Sequence, residues 1–375
     1  TMVLPFLSKY LKEDLNFSYN QVKWILISFG LGSIVGSWLG GKLSDKIGFY
    51  KIMIFSLMTS GIAFFGLQFV TSFEGLLVAM FFIMVVADMF RPAMFVSLGA
   101  YAKPENRTRA LTLVRLAINL GFAAGPALGG LLIMTVGYKG LFWVDGTTCI
   151  LAILIFWILV KEKKKSKYTD KEHPGEILTH SVFKDRPFWI FLGATLITGI
   201  LFFQLFTTIP LYHKEQFNLS ELQTGLLLTL NGVLIFFLEM PIVSYIERHK
   251  INKLKIITLG CLAMAISLYL LLVNQWAGIL IIMMLFMTFG EMFVFPFSNS
   301  FAMSRAPKGH EGRYMAIFTM SYSTAHILSA EAGMDMIRLF SYQNNWFFMG
   351  TLGVIGVLLF VWVIKLVQKE PIREL

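Results

Sequence analysis

Hydrophobic residues fall in long stretches, and the polar ones are confined to the gaps between them. Eleven apolar runs lie at roughly 21–41, 51–70, 75–101, 109–135, 139–160, 188–212, 221–246, 254–274, 276–302, 313–337 and 345–367. A membrane-crossing helix needs about 20 mostly apolar residues, so each run predicts one transmembrane helix. The chain opens on Thr1-Met2-Val3-Leu4-Pro5-Phe6-Leu7 and turns polar from Lys9 to Asp14, which amounts to half of a further helix. Either a segment lies upstream or the first span is incomplete; with it the count is twelve. No basic start with a small-residue cleavage site marks a signal peptide. The one long polar interval, 161–187, runs from Lys161-Glu162-Lys163-Lys164-Lys165 to Lys184-Asp185-Arg186. It divides the chain into an N-terminal six-helix region (1–160), a linker (161–187), a C-terminal six-helix region (188–367) and a short tail (368–375).

Composition agrees with this pattern. With 56% hydrophobic residues, only 14% charged and a mean hydropathy of +0.69, the chain is too apolar for a soluble domain. The net charge of +10 does not point to nucleic acid, because the bases punctuate apolar runs instead of covering one polar face. Their placement sets orientation instead. The linker, the C-terminus and the loops on their side carry 24 Lys and Arg, against six on the other side, which predicts a cytoplasmic linker and tail in a cell membrane. Cys149 and Cys261 both sit inside apolar runs, where cysteine behaves as a small hydrophobe, so neither a disulfide nor a cysteine metal site is expected. No phosphate-binding loop, HExxH or nucleophile elbow is present, and neither an enzyme nor a cofactor is expected. The 36 Phe and 20 Met would suit a pliable apolar cavity, although most are accounted for as lipid-facing filler.

An ionisable group inside a span costs several kcal/mol unless it is paired or faces water, so such groups mark function. They are Asp88, Arg91, Arg115, Asp145, Glu239, Glu291, His326, Glu331 and Asp335. Asp88 and Arg91 are three residues apart and can share a helix face as a pair; a structural salt bridge is the plainer reading of them. Arg115 can compete for Asp88. Asp145 and Asp335 lie near the outer ends of their spans and read as solvated rim residues, and Glu239 reads as a support for the following loop. His326 is more readily a hydrogen-bonded packing residue than a proton relay. The two halves repeat: Ala87-Asp88-Met89-Phe90-Arg91-Pro92 in span 4 is echoed by Gly290-Glu291-Met292-Phe293-Val294-Phe295-Pro296 in span 10. In the echo the base is gone. Glu291 is therefore the sharpest candidate for reversible protonation, with Asp88, Glu331 and Asp335 behind it.

Two segments carry a family resemblance. Gly41-Lys42-Leu43-Ser44-Asp45-Lys46-Ile47-Gly48-Phe49-Tyr50-Lys51, expected in the loop between spans 2 and 3, resembles the loop signature of the major facilitator superfamily, with Phe49 and Tyr50 where bases are usual. Gly121-x-x-x-Gly125-Pro126-x-x-Gly129-Gly130 resembles the span 5 signature of that superfamily's drug:proton antiporter branch. Small residues let helices approach closely and Pro126 permits a kink. A similar run, Gly30-x-Gly32-x-x-x-Gly36-x-x-x-Gly40, imitates a dinucleotide fingerprint but sits in an apolar span, so it reads as helix packing.

The resemblance implies an all-α integral membrane fold of two six-helix bundles around a central cavity. It also implies a monomeric proton-coupled secondary transporter that exports small amphipathic or drug-like molecules by alternating access, with small-molecule substrate, proton and lipid bilayer as its partners. Gly41, Asp45, Gly48, Gly121, Gly125, Pro126, Gly129 and Gly130 would then serve gating, Asp45 by facing the start of span 11 near Gly312 and Arg313. Arg91, Arg115, Asn119, His326 and Glu291 would contact substrate. Span 4 lacks the branch's early arginine, with Met80 and Phe81 in that region. Phe90-Arg91-Pro92, Ile118-Asn119-Leu120-Gly121 and Gly290-Glu291 also resemble segments of the proton-coupled oligopeptide symporters, in which Arg91 and Glu291 would hold the two ends of a zwitterion. A non-transporting receptor would explain the spans but not the acids within them.

The topology is tested by Lys165→Cys and Lys214→Cys with an impermeant thiol reagent applied outside the cell. Position 214 should label and position 165 should not; the reverse pattern would invert the orientation.

Overall fold

The computed structural model describes residues 3–101, 107–162, 182–273, 276–305 and 311–370, and among these it is helical throughout. The helices are α1 (Leu4–Lys9), a π-helical turn (Tyr10–Asp14), α2 (Tyr19–Ile47), α3 (Phe49–Leu67), α4 (Phe73–Asp88), α5 (Phe90–Tyr101), α6 (Arg107–Val136) and α7 (Lys139–Leu159). After the linker come α8 (Arg186–Thr207), α9 (Ile209–Phe217), α10 (Glu221–Arg248), α11 (Lys253–Leu270), α12 (Ile279–Arg305), α13 (Glu311–Leu339) and α14 (Tyr342–Gln368). The chain forms two compact units: Thr1–Ile177 with Glu221–Gly225, and Leu178–Ser220 with Leu226–Leu375.

Local chemistry sets the helix ends. Ser18 caps α2 in a reciprocal box with Gln21, and Ser72, Asp185, Asn252 and Ser341 each accept from backbone N–H groups that a helix start leaves unpaired. Span 4 is broken at Met89 because Pro92 has no N–H and its ring crowds the carbonyl one turn earlier, that of Asp88. Span 7 is broken at Thr208, one residue before Ile209-Pro210 opens α9. The 41–51 segment, expected as a loop, is mostly helix: α2 runs to Ile47, and Gly48, at φ +94°, is the single joint before α3. A side chain at that φ would be strained.

Among the described residues ten helices are long and apolar enough to cross a membrane, not twelve. The two exceptions have different causes. The opening helix and its π turn have six and five residues. The expected apolar run at 313–337 does form α13, with 29 residues, but Ser, Thr, Tyr, His and acids dilute it below the hydropathy of a spanning helix.

In the first unit α2 lies along α4 with a regular seam. Ser28 Oγ donates to the Leu77 carbonyl at 2.6 Å. One turn on, a Cβ at Gly32 would lie 2.4 Å from the Phe81 carbonyl oxygen, at Gly36 2.3 Å from that of Val85, and at Gly40 2.5 Å from that of Met89. Both partners advance by four residues per step, so the helices run parallel in van der Waals contact of backbone on backbone. The glycine run that imitates a nucleotide fingerprint is this seam. A second core joins Phe49, Ile52 and Met53 of α3 to Val85 of α4, Met89, Ala93 of α5 and Ile153 of α7. Further along, a Cβ at Gly130 would lie 2.5 Å from the Glu221 carbonyl oxygen, and one at Gly225 2.2 Å from that of Pro126.

In the second unit a core of Phe188, Phe191, Leu254, Ile257, Phe297, Phe301, Tyr314 and Phe360 joins α8, α11, α12, α13 and α14. At the linker end of that core, Arg305 is 6% exposed at its side chain and is held on both sides. Its Nε donates to Asp185 at 2.8 Å, its Nη1 to Glu370 at 2.5 Å, and Tyr314 OH donates to Asp185 at 3.1 Å. Three helix ends are thereby tied to one cation. At mid-core Gln204 Nε2 donates to Ser329 Oγ at 2.8 Å, while Thr208 Oγ1 donates to Gln204 Oε1.

The seam makes a contrast that can be measured. Gly36→Ala places a methyl against the Val85 carbonyl and should lower the thermal unfolding temperature of the purified protein, since overpacking costs about 1–3 kcal/mol. Gly41, also helical, has nothing within 4 Å of its Cβ, so Gly41→Ala should be neutral or stabilising. Equal effects would show that the seam is not tight.

Candidate functional site

The two repeated acids are held in the same way, each inside its own unit. Asp88, at the end of α4, accepts from the hydroxyl of Ser33 on α2. Glu291, on α12, accepts from the amide of Asn231 on α10, with Nδ2 3.0 Å from Oε2. In each unit, therefore, the acid of the fourth span takes a neutral donor from the second. The Asn231 amide also donates to Thr288 Oγ1 at 3.0 Å, and Thr288 Oγ1 donates to the Met284 carbonyl at 2.6 Å. Thr288 and Glu291 are three apart and share a helix face. One NH2 group, that of Asn231, thus serves Glu291 and Thr288 together.

The expected pairing of Asp88 with Arg91 is not made. Arg91 closes no salt bridge with the carboxylate and is exposed. Among the described residues no cation closes a salt bridge with Glu291 either. One turn further along α12, Phe295 stacks edge-on to Phe202 of α8 at 4.8 Å and packs against Tyr322 of α13 at 5.4 Å. A half-buried carboxylate one turn from an aromatic cluster suits a cationic or flat partner.

The other expected residues divide. His326 is buried against Phe203, ring edge to face at 4.7 Å, as a packing residue would be. Asp335 makes an ion pair with Arg338 on its own helix at 3.1 Å, and Glu331 is exposed. Asn119 is half-buried on α6. Glu239 is buried, and so is Asp145, which is no solvated rim residue: its Oδ2 accepts from the Val3 backbone N–H at 3.2 Å. Of the glycine ladder, Gly129 faces Phe6, with the ring 3.0 Å from a Cβ built there, Gly130 meets Glu221, Gly125 and Pro126 are buried, and Gly121 faces open space. The side chains of Asp45, Arg115 and Arg313, the loop 102–106, the linker 163–181, and Ala306 with Pro307 lie outside the described residues.

Sequence reasoning missed two features. Asn231 stood unnoticed in an apolar run, although a lone amide facing an acid of the repeat is the signal that finds it. Lys9, one of the six bases on the side opposite the linker, is fully buried, with Nζ 3.1 Å from Glu221 Oε1 in the first unit. Nearby, Tyr138 OH donates to Glu13 on the π turn at 3.1 Å. A π turn displaces side chains by one position, a device frequent at functional sites.

Comparison with known proteins bears on this arrangement. The family model of the Major Facilitator Superfamily matches residues 1–330. A Na(+), Li(+), K(+)/H(+) antiporter of Planococcus maritimus is 22% identical, with all of this chain and 94% of that protein covered. The quinolone resistance protein NorA of Staphylococcus aureus is 26% identical over 62% of this chain and 59% of its own length. Among solved structures, a POT family transporter in complex with a thioalcohol-conjugated peptide superposes with a TM-score of 0.80 at 16% identity, covering 98% of this chain and 93% of that one. A D-xylose–proton symporter reaches 0.76 at 15% identity, covering 96% and 92%. With its paired-acid repeat, its multi-pass helical fold and a family match over most of its length, the chain belongs to the Major Facilitator Superfamily and is a membrane transporter.

Proposed function

We propose that this transporter works as an antiporter in the cell membrane, with linker and tail in the cytoplasm, exporting a small cationic or amphipathic molecule in exchange for a proton carried by Glu291. The observation that carries the reading is the neutral partner of Glu291. A carboxylate locked to a base stays ionised, whereas one held by an amide has a partner in both states: the NH2 end donates to the carboxylate, and after rotation the carbonyl end accepts from the carboxylic acid. Asn231 thus makes either state of Glu291 tolerable in an apolar span. Loss of the proton makes a water-excluded arrangement costly and favours one open to water. A cation that meets the bare carboxylate and the Phe295 ring face replaces the proton, so release of one is coupled to capture of the other. Two relatives support this reading by their names, one as a cation/H(+) antiporter and one as a quinolone resistance protein.

In proteoliposomes, Glu291→Gln should abolish transport driven by an imposed pH gradient while leaving gradient-independent exchange of a neutral substrate. Coupling at the wild-type rate would remove Glu291 from the role and move it to Asp88, Glu331 or Asp335. Asn231→Ala deletes a hydrogen bond to a charged group, worth about 1.5–3 kcal/mol. Coupled transport should fall about tenfold or more, and the unfolding temperature should drop by a few degrees. Gradient-driven uptake of a dipeptide in the same vesicles would instead establish peptide symport and overturn antiport.

A further inference from the structure

At the linker end of the second unit a cleft of about 580 Å³ opens between the ends of four helices. That volume is within the range of ligand sites, about 300–1,000 Å³. Its wall is apolar, formed by Ile246, Ile251, Leu254, Phe297, Phe301 and Val367. Its polar groups gather in one run of chain, with Glu247, Lys250, Asn252 and Lys253 all between α10 and the start of α11. Arg248 and Lys255 flank that run, and Lys369 follows Val367 at the end of α14. The cleft therefore sits where apolar helices give way to charged ends, which is headgroup depth in a bilayer.

The turn that builds its rim is unusual. The Ile251 N–H bonds to the Ile246 carbonyl at 3.1 Å, and the Lys250 N–H bonds to that of Glu247 at 3.1 Å. This is the helix stop in which the residue after the C-cap is left-handed, a place glycine normally fills. Here it is Lys250, at φ +51°. A side chain is kept where none is easier, and it lines the cleft. Lys253 is held in place by its hydrogen bond to Ser300 Oγ at 2.6 Å.

We propose that this cleft is a binding site for one anionic phospholipid, with the phosphate at Lys250 and Lys253 and an acyl chain entering past Ile251 and Val367, the half-buried members of its apolar wall. The chemistry selects a lipid over a soluble anion. A soluble phosphate would use the rim and leave the apolar side of the cleft, where Ile251 and Val367 are half-buried, uncovered, and a neutral lipid would cover that side and leave both lysines without an added anion. Basic pockets between helices on the cytoplasmic side suit such headgroups. Glu247 at the same rim opposes the anion, so its removal should strengthen the site.

The test is binding of phosphatidylglycerol to the full-length protein in detergent, read by native mass spectrometry and by the rise in unfolding temperature. Phosphatidylcholine and glycerol 3-phosphate serve as controls. Phosphatidylglycerol should bind and stabilise, phosphatidylcholine should bind at least tenfold more weakly, and glycerol 3-phosphate should not displace the lipid. Lys250→Gln and Lys253→Gln should each weaken binding about fivefold, the share expected of one base near an anionic surface. Glu247→Gln should tighten it. The opposite signs separate a lost site from a lost fold. Equal binding of phosphatidylcholine, displacement by glycerol 3-phosphate, or unchanged affinity in both lysine variants would each overturn the proposal.

Discussion

An ionised side chain within hydrocarbon needs a partner, and in this protein the choice of partner separates structure from function. Arg305 is clamped between two carboxylates, and Lys9 closes on Glu221. Each is held by an opposite charge. Asp88 and Glu291 are held instead by a hydroxyl and an amide, groups that bring no charge of their own. The fixed pairs build the two units, and the neutral-partnered acids are left available for chemistry.

Packing supplies what the acids require. In water a helix pair is held by burying apolar area, but lipid is as apolar as leucine, so close approach of backbones must do the work. The ladder from Ser28 to Gly40 along α4 achieves this, and it delivers Ser33 to Asp88 within the same seam. In the second unit Asn231 reaches Glu291 across the equivalent pair of helices, α10 and α12. A longer side chain there carries the donor, and no base follows Glu291 on its own helix where Arg91 follows Asp88. That difference is why the coupled proton is assigned to the second unit.

Much of this was legible in the sequence. The apolar runs, the linker and the repeat of Asp88 in Glu291 follow from hydropathy and spacing alone, because backbone satisfaction in lipid leaves few alternatives to helices. The glycines of α2 were rightly read as packing. Other features depend on three-dimensional register. Spacing permits an Asp88–Arg91 pair, but Arg91 is exposed and does not close it, and Lys9 looks like a loop residue until the chain turns it inward. Asn231 has no charge and breaks no pattern, so only its distance to Glu291 reveals it. Segment 41–51 was placed in a loop because its glycines and bases resemble one, although helix propensity carries α2 through to Ile47.

The central claim, that substrate and proton exclude each other at Glu291, is tested most directly by counting protons. Purified protein in weakly buffered detergent solution is mixed with a saturating cationic substrate, and the pH is followed with an indicator dye. By linkage, about one proton per protein should be released at a pH where Glu291 is protonated, and none from Glu291→Gln. Substrate binding without proton release, or equal release from the variant, would contradict the account.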